Sequence, residues 1–218
     1  MCNNTGMSEM PLEPDSPDDD DHYLSEDWYT DGGSHLEMII DRTIWSADGI
    51  AAAGERLRAA TDATCDMFDL PPLNVGGLFC DDRRIAGLNG RFRGKDKPTN
   101  VLSFPGGEGE TDGEGRLAAG EIAIAFETVR SESVRDGKSL NDHLVHLWVH
   151  GLLHLMGHDH DEEAEAEAME SGEIAVLAKL GIADPYAGTV PPQDICLLYT
   201  SDAADERQCV ALGGRRSI

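Results

Sequence analysis

The chain has 218 residues, with 17 Lys and Arg against 42 Asp and Glu, which gives a formal net charge of −25. A chain with this charge repels nucleic acid unless its basic residues are concentrated in one place. It contains neither a run of about 18 apolar residues nor a signal segment with a basic start and an apolar centre, so we expect no membrane span and no secretion.

The first 34 residues are strongly acidic. They hold ten Asp and Glu and no Lys or Arg, together with several prolines and glycines. Such a segment has too little apolar surface to bury. We predict that residues 1–34 are a disordered acidic leader.

The following residues alternate strand and helix patterns. Strands are predicted at residues 36–40, 73–80, 101–104 and 121–126, and helices at 50–68, 81–88, 127–135, 139–155 and 161–180. Pro105 after the third strand indicates that this strand lies at or near a sheet edge. We predict one α/β (α+β) domain over residues 35–186, with a mixed sheet of about four strands packed with helices.

Residues 187–218 lack the strand and helix patterns of the preceding domain. We predict an unstructured tail over residues 187–218. From about residue 196 the sequence resembles the translation of a common sequencing adapter, which indicates an assembly artefact; a natural flexible tail is the alternative.

The five cysteines are scattered along the chain and lack a Cys-x-x-Cys spacing. This usage indicates reduced thiols and a cytoplasmic protein. Cys65 and Cys80 stand in apolar contexts, which favours core packing over a redox role.

Residues 150–160 read His-Gly-Leu-Leu-His-Leu-Met-Gly-His-Asp-His. On a helix, His150 and His154 project from the same face, one turn apart. Gly157 can end the helix in a left-handed turn, which lets His160 return as a third ligand. Three imidazoles leave a fourth position open for water, as in a catalytic zinc site. The pattern therefore predicts one Zn²⁺ per chain, bound at the end of a central helix.

The same histidine spacing occurs in zinc metalloproteases, where a Glu directly after the first His is the general base. Here that position is Gly151, which cannot accept a proton. The sequence thus keeps the metal ligands and lacks the peptidase base.

Two further sequence blocks also carry a recognisable motif. They are residues 88–105 (Leu-Asn-Gly-Arg-Phe-Arg-Gly-Lys-Asp-Lys-Pro-Thr-Asn-Val-Leu-Ser-Phe-Pro) and residues 120–124 (Gly-Glu-Ile-Ala-Ile). With residues 150–160, they resemble the YbeY family of metal-dependent endoribonucleases over roughly residues 36–186. Tyr is usual in that family where this chain has His158.

The resemblance implies a single-strand-specific endoribonuclease in ribosomal RNA maturation, including processing of the small-subunit RNA 3′ end, and in ribosome quality control. It implies a ribosomal RNA precursor as substrate, and as partners the ribosome or small-subunit proteins and a ribosome-associated GTPase. Arg93 matches the family's functional arginine, and a guanidinium can clamp two phosphate oxygens.

Basic residues cluster around Arg93. Six of them fall within fifteen positions, namely Arg83, Arg84, Arg91, Arg93, Lys95 and Lys97. We expect Arg91, Lys95 and Lys97 to bind substrate, with His158 as a pocket wall; a solvated run of charges is the simpler alternative.

Carboxylates can orient a ligand imidazole by accepting its second N–H. Asp159 and Glu121 are the candidates for this role. The acidic run from Asp161 to Glu173 is interpreted as a solvated helix face, and His143 and His146 as solvent-facing or core-capping residues.

Two other functions remain open. One is a zinc metallohydrolase of another substrate class, which Gly151 disfavours for peptides. The other is a non-catalytic ribosome-assembly factor whose metal mainly supports the fold.

Overall fold

The computed structural model describes residues 22–107, 109–158 and 163–187. Its helices and strands, in chain order, are β1 (Tyr23–Tyr29), β2 (His35–Asp41), α1 (Ala47–Phe68), β3 (Leu73–Cys80), α2 (Asp82–Arg93), β4 (Val101–Pro105), β5 (Leu117–Ala125), α3 (Phe126–Arg135), α4 (Leu140–Leu155) and α5 (Glu163–Lys179). The predicted α/β class is confirmed. The predicted leader before residue 22 and the predicted tail from residue 188 lie outside the described residues.

The five strands form one mixed sheet in the order β1-β2-β3-β5-β4. β2, β3 and β5 run parallel to one another, whereas β1 and β4 pair antiparallel at the two edges. The edge position predicted for the strand before Pro105 is therefore confirmed.

β1 corrects the predicted leader. Residues 23–29 pair along their whole length with β2, from Tyr23 opposite Asp41 to Tyr29 opposite His35. The prediction of disorder is wrong for this part of the segment, and β1 is the strand beyond the four that were predicted. In this edge strand Asp27 is exposed and Glu26 half-buried, while Trp28 packs into the core.

Two apolar clusters cover the two faces of the sheet. The larger one joins α1, α4 and α5 to residues such as Val75 and Ile122, and the smaller one joins Ile85 and Leu88 of α2 to Ala123. Side chains of successive strand residues point to opposite faces. α4 and α2 therefore lie on opposite faces of the sheet.

The helix ends follow their local chemistry. The Asp81 carboxylate accepts the Arg84 N–H at 2.6 Å and caps α2, and Ser139 caps α4. α2 continues to Arg93 rather than ending at Leu88, and Gly94, with φ 69°, terminates it in the left-handed conformation that glycine adopts at no cost. Arg91 and Arg93 thus stand in the last turn, where positive charge suits the helix dipole.

Within the described residues, no helix has both the length and the apolar composition needed to cross a bilayer.

Candidate active site

The histidine pair lies on one face of α4, as the spacing predicts. The Nε2 atoms of His150 and His154 are 3.1 Å apart, and the two ring planes stand at 85°. The helix ends at Leu155, and Gly157 has φ 83°. The left-handed turn predicted at Gly157 is therefore confirmed, whereas His160 and Asp159 lie outside the described residues.

Hydrogen bonds on the far side of each ring fix the protonation of the pair. Nδ1 of His154 lies 2.9 Å from the carbonyl oxygen of His158, which can only accept, so this Nδ1 carries the proton. Nδ1 of His150 lies 2.8 Å from Oε1 of Glu173 and donates to that carboxylate. In the neutral form of both rings, the two Nε2 atoms then present lone pairs to each other.

This arrangement fits a metal ion. Two lone pairs 3.1 Å apart repel each other unless a cation lies between them. Imidazole nitrogens bind zinc at about 2.0–2.1 Å, and at a tetrahedral angle two such nitrogens stand about 3.3 Å apart. Among the described residues no group of three potential ligands converges, since the third predicted ligand, His160, is not one of them. The described part of the site thus contains two of the three predicted ligands, His150 and His154.

Glu173 is the carboxylate that orients His150, and the sequence did not reveal it. Its side chain is 1% exposed and accepts from His150 through Oε1 and from His146 through Oε2, at 2.8 and 2.9 Å. Burial raises the pKa of Glu173, but these hydrogen bonds outweigh burial and lower the pKa to about 2. The residue is therefore an ionised acceptor, and its interpretation as part of a solvated face is wrong.

His146 and His143 each contact a glutamate and do not face the Nε2 atoms of His150 and His154. His146 turns its Nε2 toward Glu173, and burial lowers its pKa. His143 is 6% exposed, with its Nε2 2.8 Å from Glu132 on α3. The prediction that these residues are not ligands agrees with these contacts, and both are core residues rather than solvent-facing ones.

Gly151 stands where α4 approaches the sheet most closely. A Cβ at this position would lie 2.9 Å from Cδ1 of Ile122 and 3.1 Å from its Cγ2. The position faces β5 and not the imidazole pair. A glutamate here would enter the core, so the peptidase base is absent for a packing reason as well as a chemical one.

Glu121 lies away from the histidine pair. A Cβ at Gly76 would lie 3.0 Å from Cγ of Glu121. Ala123, two residues after Glu121 on the same strand, packs against α2. The Glu121 side chain therefore points to the α2 face, whereas Ile122 points to α4. This placement corrects the predicted role of Glu121 as an orienting carboxylate.

His158 contributes its backbone to the site. Its carbonyl orients His154, while its ring packs edge-on against Phe68 of α1, with ring centroids 5.2 Å apart. The structure thus places the imidazole against α1; its predicted contact with substrate stays a prediction.

The predicted substrate-binding residues gather at the end of α2 and in the loop that follows. Arg91, Arg93 and Lys97 are exposed and Lys95 is half-buried. Asn89 is buried in α2 and holds this loop through two hydrogen bonds. Its side-chain Nδ2 donates to the Lys97 carbonyl at 2.8 Å, and its backbone carbonyl accepts the Lys95 N–H at 3.2 Å. The sequence motif contains Asn89, but only the structure shows this contact.

The basic end of α2 and the histidine half of α4 flank the same segment of edge strand β4. On one face, the ring of Phe92 lies 5.1 Å from that of Phe104. The neighbouring Ser103 points to the other face and pairs with Ile122, the residue that Gly151 approaches. The helices that carry Arg93 and the histidine pair thus pack on opposite faces of the sheet near the same edge.

These features define an α/β protein with a histidine centre on a sheet-packed helix and a basic helix end at the adjoining sheet edge. The family model described as Endoribonuclease YbeY matches residues 50–181, and the chain belongs to this family. The resemblance found in the sequence motifs is thereby confirmed.

Similar proteins share most of this domain. Endoribonuclease YbeY of Rhodopseudomonas palustris is 48% identical over 154 residues, covering 70% of this chain and 80% of the relative. Endoribonuclease YbeY of Cereibacter sphaeroides is 42% identical over 166 residues, covering 69% and 98%. The solution structure of TM1509 from Thermotoga maritima is 22% identical, with a TM-score of 0.42, and the match covers 68% of this chain and 93% of that one.

Proposed function

We propose that this chain is a zinc-dependent endoribonuclease that cuts single-stranded RNA during ribosomal RNA maturation. The observation that carries the proposal is the pair of imidazoles on α4, whose Nε2 lone pairs face each other at 3.1 Å. Membership of the endoribonuclease family supplies the substrate class. By the same resemblance, we infer a cytoplasmic role in processing the 3′ end of small-subunit RNA and in ribosome quality control.

Three histidines would hold one zinc ion, namely His150, His154 and the predicted third ligand His160. When bound, zinc supplies a Lewis acid that polarises a phosphoryl oxygen and lets water lose a proton near neutral pH. Glu173 keeps the proton of His150 on Nδ1, and the His158 carbonyl does the same for His154. Both rings are therefore fixed in orientation and tautomer before any ligand arrives.

Arg93 is the group we assign to the scissile phosphate. Its guanidinium is exposed in the last turn of α2, and the Asn89 contact keeps the following loop close to the helix end. A planar guanidinium can bind two phosphate oxygens and offset the charge that develops at phosphorus. Because the helices that carry Arg93 and the histidine pair both pack near β4, we infer that the RNA strand crosses this edge of the sheet.

The charge distribution agrees with an RNA substrate. The chain carries a net charge of −25, yet Arg91, Arg93, Lys95 and Lys97 are concentrated at one end of one helix. A local positive field of this kind binds phosphates that the rest of the chain repels. A ribosomal RNA precursor, small-subunit proteins and a ribosome-associated GTPase are the partners we infer for it.

The test is cleavage of a single-stranded ribosomal RNA fragment by protein whose zinc content has been measured. Wild type, His154→Ala and Arg93→Ala are compared, with Arg130→Ala as the control because Arg130 is an exposed arginine on α3. We expect Arg93→Ala to stay folded and to bind zinc but to lose at least 100-fold in cleavage rate, about 2.7 kcal/mol in barrier. His154→Ala should lose both zinc and activity, and Arg130→Ala neither.

Three results would reject the proposal. Equal cleavage by all preparations would mean a contaminating nuclease. If wild type does not cut RNA and Arg93→Ala still associates fully with the ribosome, the assembly-factor function would be favoured. Degradation of casein by pure wild type would favour a metallohydrolase of another substrate class.

A further inference from the structure

A second concave site lies on the α2 side of the sheet, away from the histidine pair. It is a pocket of about 530 Å³ between α2 and the adjoining ends of β1 and β2. Three arginines of α2 line it, Arg83, Arg84 and Arg91. This volume lies in the range of small-molecule sites, and one nucleotide fits within it.

The carboxylates in the lining are already engaged by the protein. Asp41 accepts from the backbone N–H and the hydroxyl of Thr43, at 2.8 and 2.6 Å. Asp81 accepts the Arg84 N–H as the cap of α2. The Arg83 side chain, in contrast, is 92% exposed, and its Nε stays 3.8 Å from Asp81. An anionic group in the pocket would therefore find the Arg83 guanidinium open to solvent, while the two carboxylates are held by donors of the protein.

The remaining lining is suited to a sugar or a base. Tyr23 and Leu88 contribute to it, and both belong to the apolar cluster beneath α2. Burial, with the nearby Cys80 and Asp41, raises the pKa of Tyr23 to about 12. Its hydroxyl therefore keeps its proton and can donate to a ribose or phosphate oxygen.

Gly87 belongs to the lining of the pocket, and neither packing nor backbone conformation accounts for it. It lies inside α2, where a glycine costs about 0.5–1 kcal/mol relative to alanine. Neither a positive φ nor a close neighbour requires it, because a Cβ built there would meet nothing within 4 Å. The space that the missing side chain leaves open is the pocket itself.

We propose that this pocket binds one nucleotide of a single-stranded RNA whose adjoining phosphates follow α2 toward Arg93. Arg83, Gly87 and Arg91 are spaced four residues apart and lie on one helix face, and Arg83 and Arg91 are about 12 Å apart along the helix axis. This face leads from the pocket to the basic loop. The inference extends the proposed function, because it gives that nuclease a binding subsite beyond the scissile phosphate.

The experiment compares RNA affinity with RNA length, by fluorescence anisotropy on the full chain. A three-nucleotide RNA is too short to occupy the pocket and the basic loop together, whereas a twelve-nucleotide RNA can contact both. Gly87→Leu fills the pocket without removing a charge, and Gly87→Ala is the matched control. We expect wild type and Gly87→Ala to gain affinity with length, and Gly87→Leu to bind the longer RNA about tenfold more weakly.

A salt titration gives a second readout. Arg83→Gln should lower the slope of log K against log salt concentration by about 0.7 for the longer RNA, the value expected for one lost phosphate contact on a single strand. The slope for the short RNA should not change.

Identical length dependence in wild type and Gly87→Leu would overturn the proposal. An equal loss of RNA affinity in Gly87→Leu and Gly87→Ala would also overturn it, because that loss would report a change in the helix. Tight binding of free uridine 5′-monophosphate would overturn it as well, because the pocket would then be assigned to a small nucleotide. These outcomes are distinct from failure of the proposed function, since that failure is read from cleavage by wild type and not from binding.

Discussion

Glu173 of α5 accepts a hydrogen bond at 2.8 Å from Nδ1 of His150 on α4, twenty-three residues earlier in the chain. The contact joins two helices and leaves the opposite nitrogen of the imidazole pointing at His154. The same carboxylate accepts from His146. Packing of α5 on α4 therefore fixes the His150 ring, and the proposed metal site would depend on the position of the last helix as well as on its own motif.

Replacing Glu173 with glutamine should weaken zinc binding. A glutamine carbonyl accepts from one imidazole, but its NH₂ group faces the donor of the other, so one ring loses its fixed tautomer. Loss of such an orienting carboxylate costs about 10–100-fold in metal affinity. Competition with a zinc-binding dye measures the change. Glu167→Gln, an exposed neutralisation on the same helix, should leave the affinity unchanged. Wild-type affinity in Glu173→Gln would show that the contact does not orient the ligand.

The close approach of Gly151 to Ile122 gives a second prediction. Gly151→Ala should lower the free energy of unfolding by about 1–3 kcal/mol, because its new methyl would lie 2.9 Å from Cδ1 of Ile122. Helix propensity alone predicts the opposite sign, a gain of about 1 kcal/mol. Urea unfolding decides between the two.

The double variant Gly151→Ala with Ile122→Val is the control for this contact. Valine lacks Cδ1, the atom nearest to the new methyl. The double variant should therefore lose less stability than the sum of the two single variants, by at least about 0.5 kcal/mol. Additive losses would mean that Ile122 is not the obstacle.

Trp148 and Thr61 provide a third prediction, on the contact between α4 and α1. The Trp148 Nε1–H donates to Oγ1 of Thr61 at 3.0 Å, and both residues are fully buried. Thr61→Val would leave this donor without an acceptor, at a cost of about 1–3 kcal/mol. Urea unfolding followed by tryptophan fluorescence measures the loss.

Thr64→Val is a matched control within the same helix. Thr64 is buried and its hydroxyl donates to the Ala60 carbonyl, as that of Thr61 does to Leu57, whereas the Trp148 Nε1–H donates to Thr61. The difference between the two variants isolates the Trp148 hydrogen bond. If both variants lose equal stability, that bond contributes nothing measurable.

The parts of the fold that local chemistry decides could be predicted from the sequence. Asp81 and Ser139 cap helices because their short polar side chains satisfy the first N–H groups. Gly157 ends α4 because glycine adopts the left-handed conformation readily. β1 was missed because its Ser and acidic residues resemble a disordered segment, although Gly32 and Gly33 between two strand-like runs are a hairpin signal.

The orienting carboxylate could be predicted only in part. Met169, Glu173 and Leu177 recur every four residues, so Glu173 is in phase with the buried face of α5. This phase is a signal that the acid is buried. Its partners are not visible in the sequence, because they depend on how α5 docks on α4. The same holds for Gly151, whose neighbour Ile122 lies on a strand that is distant in sequence.

The last prediction concerns Glu132, which links α3 to α4 and to the residue before β4. It lies 2.8 Å from Nε2 of His143 and accepts from Nδ2 of Asn100 at 3.1 Å. Burial raises the pKa of Glu132, but the hydrogen bonds from His143 and Asn100 outweigh burial and hold the pKa below its ordinary value of 4.5. A carboxylate whose pKa is lowered by folding stabilises the native state above its unfolded pKa, and this contribution is lost as the pH falls through its folded pKa.

Glu132→Gln should therefore be less stable than wild type at neutral pH, and the difference between the two should shrink as the pH falls below about 4.5. Urea unfolding at several pH values from about 7 to about 3 measures it. Glu167→Gln, which removes an exposed carboxylate, should track wild type over the whole range. A stability difference that stays constant with pH would mean that Glu132 acts through packing and not through its charge, because the packing of glutamate and glutamine differs equally at every pH.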